Sequence, residues 1–181
     1  MPCISDPGAL FVDFCQKNSI RYDVIPGANA AITSYAMSGF NQKEFLFFGF
    51  LHNKGNKRLD EIKKLLKSSY PVIIYESPER VLKLVEEIAK IDEMRDLFLV
   101  KEISKLHQRT FRGKACEVLE KLKEANLKGE WVVILSSKEE SIDQSALVEA
   151  ILELEISTKD KSKILGKLTD KPSKQWYKEL L

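Results

Sequence analysis

The sequence predicts an α/β domain followed by a helical tail, and three observations carry that prediction. Apolar runs of strand length alternate with amphipathic segments between Phe45 and Leu135. The runs stop at turn residues or at charged pairs. From Ser141 onward only helical spacing remains. Alternation of this kind is what a sheet layered with helices requires.

The chain opens with Ile4-Ser5-Asp6-Pro7-Gly8, a loop entering a helix: Asp6 is a candidate cap, Pro7 suits the first turn, and Leu10, Phe11 and Phe14 give an apolar face. Tyr22–Ile25 reads as a short strand broken at Pro26-Gly27. Ala28–Met37 follows as a helix of small residues ending at Ser38-Gly39. A Pro-Gly break into an alanine-rich start admits close approach to the backbone, by a ligand or by a packed neighbour. Phe45–Leu51 is a buried strand, and His52–Arg58 (HNKGNKR) a charged loop ahead of a helix with Leu59, Ile62, Leu65 and Leu66 on one side.

The organising stretch is Pro71–Arg80, PVIIYESPER. Val72, Ile73 and Ile74 form a continuous apolar run that suits a strand buried on both faces. Ser77 and Pro78 fit a helix start, and Val81, Leu82, Val85, Ile88 and Ala89 repeat at helical spacing. Tyr75 and Glu76 therefore stand at the carboxyl end of a buried strand, where open α/β sheets build binding crevices. Leu97–Ile103 is another strand, turning polar into Lys101, Glu102, Lys105 and His107, a titratable cluster open to ion pairing, catalysis or phosphate binding. Thr110–Gly113 is extended, Ala115–Glu124 helical and Trp131–Leu135 a last buried strand. In the tail, Ser157 and Ser173 cap two short helices across Thr169–Pro172, a helix-turn-helix or a small closing bundle.

Composition bounds the rest. The 181 residues suffice for one full domain plus attachments. Lys and Arg number 29 against 27 Asp and Glu, so any nucleic-acid surface has to be a local patch. Cys3, Cys15 and Cys116 are widely spaced, as free thiols in a reducing cytoplasm would be, and with only His52 and His107 no metal centre is expected. No apolar run reaches the roughly 20 residues of a membrane span. Met1 runs into Pro2 without a leader pattern, and the first helix comes so early that the chain reads as opening inside a domain. GxGxxG, P-loop, HExxH and GxSxG motifs are absent.

Five segments in order, ISDPGAL, VIPGANAAITSYAMSGF, FLFFGFL, VIIYESPER and KEISKLH, resemble the bacterial 16S ribosomal RNA (cytidine-2′-O) ribose methyltransferases of the tetrapyrrole methylase superfamily. The resemblance runs from Ile4 to the terminal helices. It implies S-adenosylmethionine held in the cleft between two α/β domains, 16S rRNA of the small ribosomal subunit as substrate, and a cytoplasmic homodimer. It further implies that residues 1–40 end a first, cofactor-binding domain whose glycine-rich start lies upstream, that 41–138 form a second, mixed-sheet domain, and that 139–181 are a helical tail. On that reading the 181 residues alone are expected to be inactive.

Carried across by motif, Pro2, Cys3, Ile4 and Ser5 fall on the loop lining the cofactor cleft, Gly27, Ala30 and Ala31 on the segment beside it, and Tyr75, Glu76 and Ser77 face it from the second domain. Ala28-Asn29 stand where the family has Pro-Ser, Glu79 where it has His and Gln108 where it has Glu, so no catalytic role passes to Glu79. Methyl transfer to a ribose hydroxyl needs in-line positioning and an acceptor for the proton. Glu102 and Glu76 are the candidates for that role, with Lys105 and His107 on adjacent phosphates and Lys54, Lys57 and Arg58 as a further RNA contact. Two alternatives stay open: an rRNA-binding module without chemistry, and a methylase of tetrapyrrole precursors.

Overall fold

The apolar runs become five strands: β1 (Leu46–Phe50), β2 (Val72–Glu76), β3 (Asp96–Lys101), β4 (Arg109–Lys114) and β5 (Trp131–Leu135). The computed structural model describes residues 2–138, 144–169 and 171–180. It divides into two compact units after Lys138. In the first unit the strands form one mixed sheet in the order β1-β2-β5-β3-β4. β1 and β2 run parallel, while β2–β5, β5–β3 and β3–β4 are antiparallel.

Five helices accompany the sheet: α1 (Ala9–Lys17), α2 (Ala30–Ser38), α3 (Asn56–Leu65), α4 (Val81–Ile91) and α5 (Ala115–Lys123). Strand alternation divides the core in two. Val72, Ile74, Leu97, Leu99, Val133 and Leu135 pack with residues of α3, α4 and α5 such as Ile62, Leu84 and Val118. The other face, with Ile73, Phe98, Val100, Val132 and Ile134, packs on Ala31 of α2 and on Phe45, Phe47 and Tyr75. Burial on both faces is what the uninterrupted apolar runs demand.

The sheet and its helices lie close to the sequence expectations, and the departures cluster near chain segments without partners. Residues 22–25 form no strand: β propensity needs a neighbouring edge, and Ile25 is 81% exposed. α1 starts after Gly8 (φ 129), with no side-chain cap, so Asp6 does not cap it. Its expected apolar face is largely out of the core, Leu10 being 86% exposed, and Cys15 is the buried residue. Ser77 opens a turn rather than capping a helix: its carbonyl accepts from the N–H groups of Arg80 and Val81, and α4 begins at Val81. α3 begins at Asn56, so Lys57 and Arg58 are helical and not part of a charged loop.

One ion cluster ties three elements to the end of β2. Glu76 has a side chain with 0% exposure and accepts from Arg58 Nη1 at 3.0 Å and from Arg80 Nη2 at 2.7 Å. The Ser77 N–H donates at 2.9 Å to Oε1, the oxygen that Arg80 also reaches. Arg58, 2% exposed, also donates to Glu87 of α4 at 2.9 Å and to the His52 carbonyl at 3.3 Å. This is a correction to the expected RNA contact: the Arg58 guanidinium is taken up inside the protein, out of reach of a phosphate.

The second unit holds α6 (Gln144–Glu153), α7 (Thr158–Leu168) and α8 (Ser173–Glu179). Ser157 caps α7, its Oγ accepting from the Asp160 N–H at 3.2 Å. A Cβ on Gly166 would lie 2.7 Å from the Ser173 backbone nitrogen, so the glycine lets α8 start tightly against α7. Trp176 Nε1 donates to Thr169 Oγ1 at 2.8 Å and closes the turn. Pro172, not Ser173, occupies the cap position of α8. Ser141, where the helical pattern begins, and Asp170, inside the turn, lie outside the described residues.

Removing Arg58 leaves the buried Glu76 carboxylate and the partly buried Glu87 short of a partner. Arg58→Met is expected to cost about 3 kcal/mol or more of stability, whereas Lys57→Met, one residue away on the exposed side, stays within about 0.5 kcal/mol. Urea unfolding followed by circular dichroism measures both; equal effects would mean the cluster contributes no more than a surface charge.

Candidate active site

Two concavities in the first unit gather the chemistry-bearing residues. The first, about 530 Å³, is lined by Ile4, Gly27, Ala31, Ile32, Thr33 and Phe47, among others. Its size falls within the span of small-molecule sites. Residues 2–8 reach it through tight turns, with Cys3 at φ 65 and Ser5 at φ 51. Ser5 Oγ stands 3.1 Å from where a Cβ on Gly49 would be, and Gly49 has φ 78 at the register shift between β1 and β2. A side chain at that position would push the segment away.

The start of α2 forms the opposite wall. Asn29 caps it, its Oδ1 accepting from the Ile32 N–H at 3.1 Å. The Ala31 N–H donates to the Tyr75 hydroxyl at 3.1 Å. The Tyr75 ring is held edge-on by Phe47 (5.1 Å between centroids) and Phe50 (5.6 Å). Burial raises the Tyr75 pKa, with the Ala31 N–H partly offsetting it, so the phenol stays protonated and keeps its own proton to donate. A Cβ on Gly27 would meet nothing within 4 Å. Small residues and bare backbone leave room for a flat heterocycle and for hydrogen bonds to main-chain groups.

The second concavity, about 440 Å³, lies between the β3–β4 and α5–β5 loops and is lined by Lys101, Glu102, His107, Arg109, Asn126 and Lys128 with Ala125 and Gly129. Glu102 has φ 51, a left-handed conformation uncommon for a side-chain-bearing residue. It is held at both ends of its backbone and carboxylate. Its N–H donates to the Glu130 carbonyl at 2.9 Å, and its carboxylate accepts from the Glu130 N–H at 2.8 Å and from Lys105 Nζ at 3.0 Å. Gly129 makes this possible, since a Cβ there would sit 2.5 Å from Glu102 Cγ. The Glu130 N–H, then the Lys105 ammonium, hold the Glu102 carboxyl below the usual glutamate range, and Glu102 and Glu130 in turn raise Lys105.

The residues singled out in the sequence are thus distributed over different surroundings. Ile4, Gly27 and Ala31 line the first cavity, Tyr75 reaches its rim through Ala31, and Pro2, Cys3, Ser5 and Ala30 belong to the segments that form its walls. Ser77 is turned toward Arg80, its Oγ accepting from Nε at 3.2 Å. Glu102 and His107 line the second cavity and Lys105 braces Glu102. Lys54 and Lys57 are exposed, in the loop after β1 and in the first turn of α3. Glu76 and Glu102 are not brought together: Trp131 of β5 lies between β2 and β3 in the register, opposite Glu76 on one side and Lys101 on the other. Glu76 is saturated by arginines without exposure, so of the two carboxylates Glu102 is the one a substrate reaches. Asn126, Lys128 and Arg109 had no signal in the sequence beyond a polar turn and a strand start; only the meeting of two loops makes them neighbours.

A family model described as Tetrapyrrole (Corrin/Porphyrin) Methylases matches residues 1–119. The ribosomal RNA small subunit methyltransferase I of Campylobacter fetus subsp. fetus (strain 82-40) is 42% identical over 181 residues, covering 100% of this chain and 67% of that protein. The protein of the same name from Helicobacter pylori (strain ATCC 700392 / 26695) is 37% identical over 183 residues, covering 98% and 63%. The chain therefore spans about two thirds of the length of these relatives. Among solved structures, the methyltransferase CobJ is similar in fold, with a TM-score of 0.53 and 12% identity over 76% of this chain and 61% of that one.

The bracing of Glu102 has a pH signature. Its folded-state pKa is depressed, so the stabilisation is present above the unfolded value and is lost as pH falls through the folded one. Carbon-detected NMR titration should find Glu102 among the lowest glutamates, and Lys105→Met should move it back up. An unmoved Glu102 in that variant would assign the whole effect to the Glu130 N–H.

Proposed function

The chain belongs to the tetrapyrrole methylase family, and from that membership we propose that its residues serve S-adenosylmethionine-dependent methylation of small-subunit ribosomal RNA, at the ribose 2′-hydroxyl of a cytidine in the decoding region of 16S rRNA. One observation carries the reading. In a chain 42% identical along its whole length to a ribosomal RNA methyltransferase, Ile4, residues 27–29, the first turn of α2 and Phe47 enclose one cavity of about 530 Å³. The reading extends to a cytoplasmic homodimer, and to inactivity of the 181 residues by themselves.

Bound S-adenosylmethionine supplies a methyl group already activated on a sulfonium. Ile4, Gly27 and Ala31 would hold it, with residues 2–5 and Ala30 as the walls. Tyr75 fixes the first turn of α2, beside the cavity, by accepting from the Ala31 N–H. The protein's remaining work is to place the ribose oxygen in line with the methyl and to receive its proton. Glu102, ionised and accessible, is the acceptor in this reading. Glu76 acts at a distance, as the anchor that sets the end of β2 and so the position of Tyr75. Lys105 and His107 carry the neighbouring phosphates, and Lys54 and Lys57 extend the contact.

The reading is tested by labelled methyl incorporation from S-adenosylmethionine into small ribosomal subunits, with the ribose position mapped. A chain extended to a relative's full length should transfer methyl and residues 1–181 alone should not. No transfer by either would favour a binding module, and transfer to a porphyrinoid instead of RNA would favour the tetrapyrrole-precursor alternative. In the extended protein Glu102→Gln is expected to lower kcat about 100-fold with S-adenosylmethionine affinity unchanged. Neutralising Lys54 and Lys57 should flatten the salt dependence of RNA binding by about 0.7 to 0.9 per lost contact. Unchanged slopes would make that segment a solvated turn.

A further inference from the structure

The second concavity has a feature that Glu102 alone does not explain. Lys101 is 6% exposed, and its ammonium donates to the Asn126 carbonyl at 2.6 Å. An ammonium has three donors, and burying it with one neutral acceptor is unfavourable unless an anion is near. Glu102, in the lining, is near enough for charge attraction to Lys101, but its ion pair at 3.0 Å is with the Lys105 ammonium, so the anion is shared. The side chains of His107, Arg109 and Lys128 line the same space and have no hydrogen-bond or ion-pair partner among the described residues. Lys128 is fixed at its backbone, where its N–H donates to Asn126 Oδ1 at 3.0 Å. Cationic donors thus converge from β3, β4 and the α5–β5 loop on one cavity of about 440 Å³. Beside His107 in the sequence, Leu106 is 93% exposed, an apolar surface such as a nucleobase packs against.

We infer that this cavity seats a phosphodiester of single-stranded substrate RNA, on Lys101, Arg109 and Lys128, with Asn126 and Leu106 at its rim. The inference rests on the RNA reading above and names the part of the site that grips the nucleic acid backbone. Phosphate oxygens would take up the unused donors of Lys101, and the guanidinium of Arg109 suits two of them at once. Lys105, which carries a neighbouring phosphate in the reading above, also braces Glu102 at the edge of the same cavity.

The test is fluorescence anisotropy of a short labelled oligocytidine on the 181-residue chain, titrated across salt. Arg109→Gln and Lys128→Gln, both at exposed positions, are each expected to weaken binding about tenfold, as for one charge-assisted hydrogen bond, and to lower the salt slope by about 0.7. Leu106→Ala should weaken binding with the slope unchanged, and S-adenosylmethionine binding should be the same in all three. Unaltered affinity and slope in both charge variants, or no oligocytidine binding by the wild-type chain at low salt, overturns the assignment. Methyl transfer to ribosomal subunits is scored separately. RNA held here, with no transfer by the chain extended to a relative's full length, rejects the methylation reading and leaves the site, while transfer by the extended chain with unaffected variant binding rejects the site alone.

Discussion

The Glu76 carboxylate, enclosed without exposure between Arg58 and Arg80, is the constraint around which the first unit is arranged. A buried carboxylate is tolerable only when its oxygens are filled, and here the Ser77 N–H and two guanidinium groups fill them. Each partner comes from a different place: Arg58 from α3, Arg80 from the turn before α4, and Glu87 of α4 closes the other side of Arg58. The end of β2 is therefore fixed against both helices on one face of the sheet.

Strand alternation transmits that placement to the opposite face. Because Tyr75 precedes Glu76, it points away from the arginines and toward α2, where its hydroxyl meets Ala31. The cavity under α2 thus depends on a charge cluster buried on the opposite face of the sheet. At β3 the same end of the sheet carries a different solution. Glu102 is held in a left-handed conformation by Glu130 and Lys105, and it stays accessible because its partners lie at the surface. Two carboxylates of one type, at the ends of strands separated by β5, end up one enclosed and one accessible.

The sheet was legible because its signals are local. WVVIL and PVIIYE are apolar on both alternating positions, and no other environment suits such runs in a chain of this composition. The first cavity was legible in part, through the Pro-Gly break and the small residues that begin α2. Residues 22–25 and the apolar face of α1 misled for one reason: an apolar pattern states that burial is favourable, not that a partner is present. Arg58 misled for another. Its neighbours in HNKGNKR are exposed, and a guanidinium goes inside only where carboxylates distant in sequence wait for it, here Glu76 and Glu87.

By itself, then, the sequence determined which segments become strands and helices, where each strand turns polar, and through its ordered motifs the family to which the chain belongs. Those properties follow from periodicity and from short-range chemistry, which neighbouring residues settle among themselves. Only the tertiary structure decided that Glu76 is enclosed and Glu102 open, that Arg58 is internal, and that Lys101, Arg109 and Lys128 share one cavity. Burial and electrostatic partnership are set by residues far apart in the chain, so their outcome exists only once the sheet has brought those residues together.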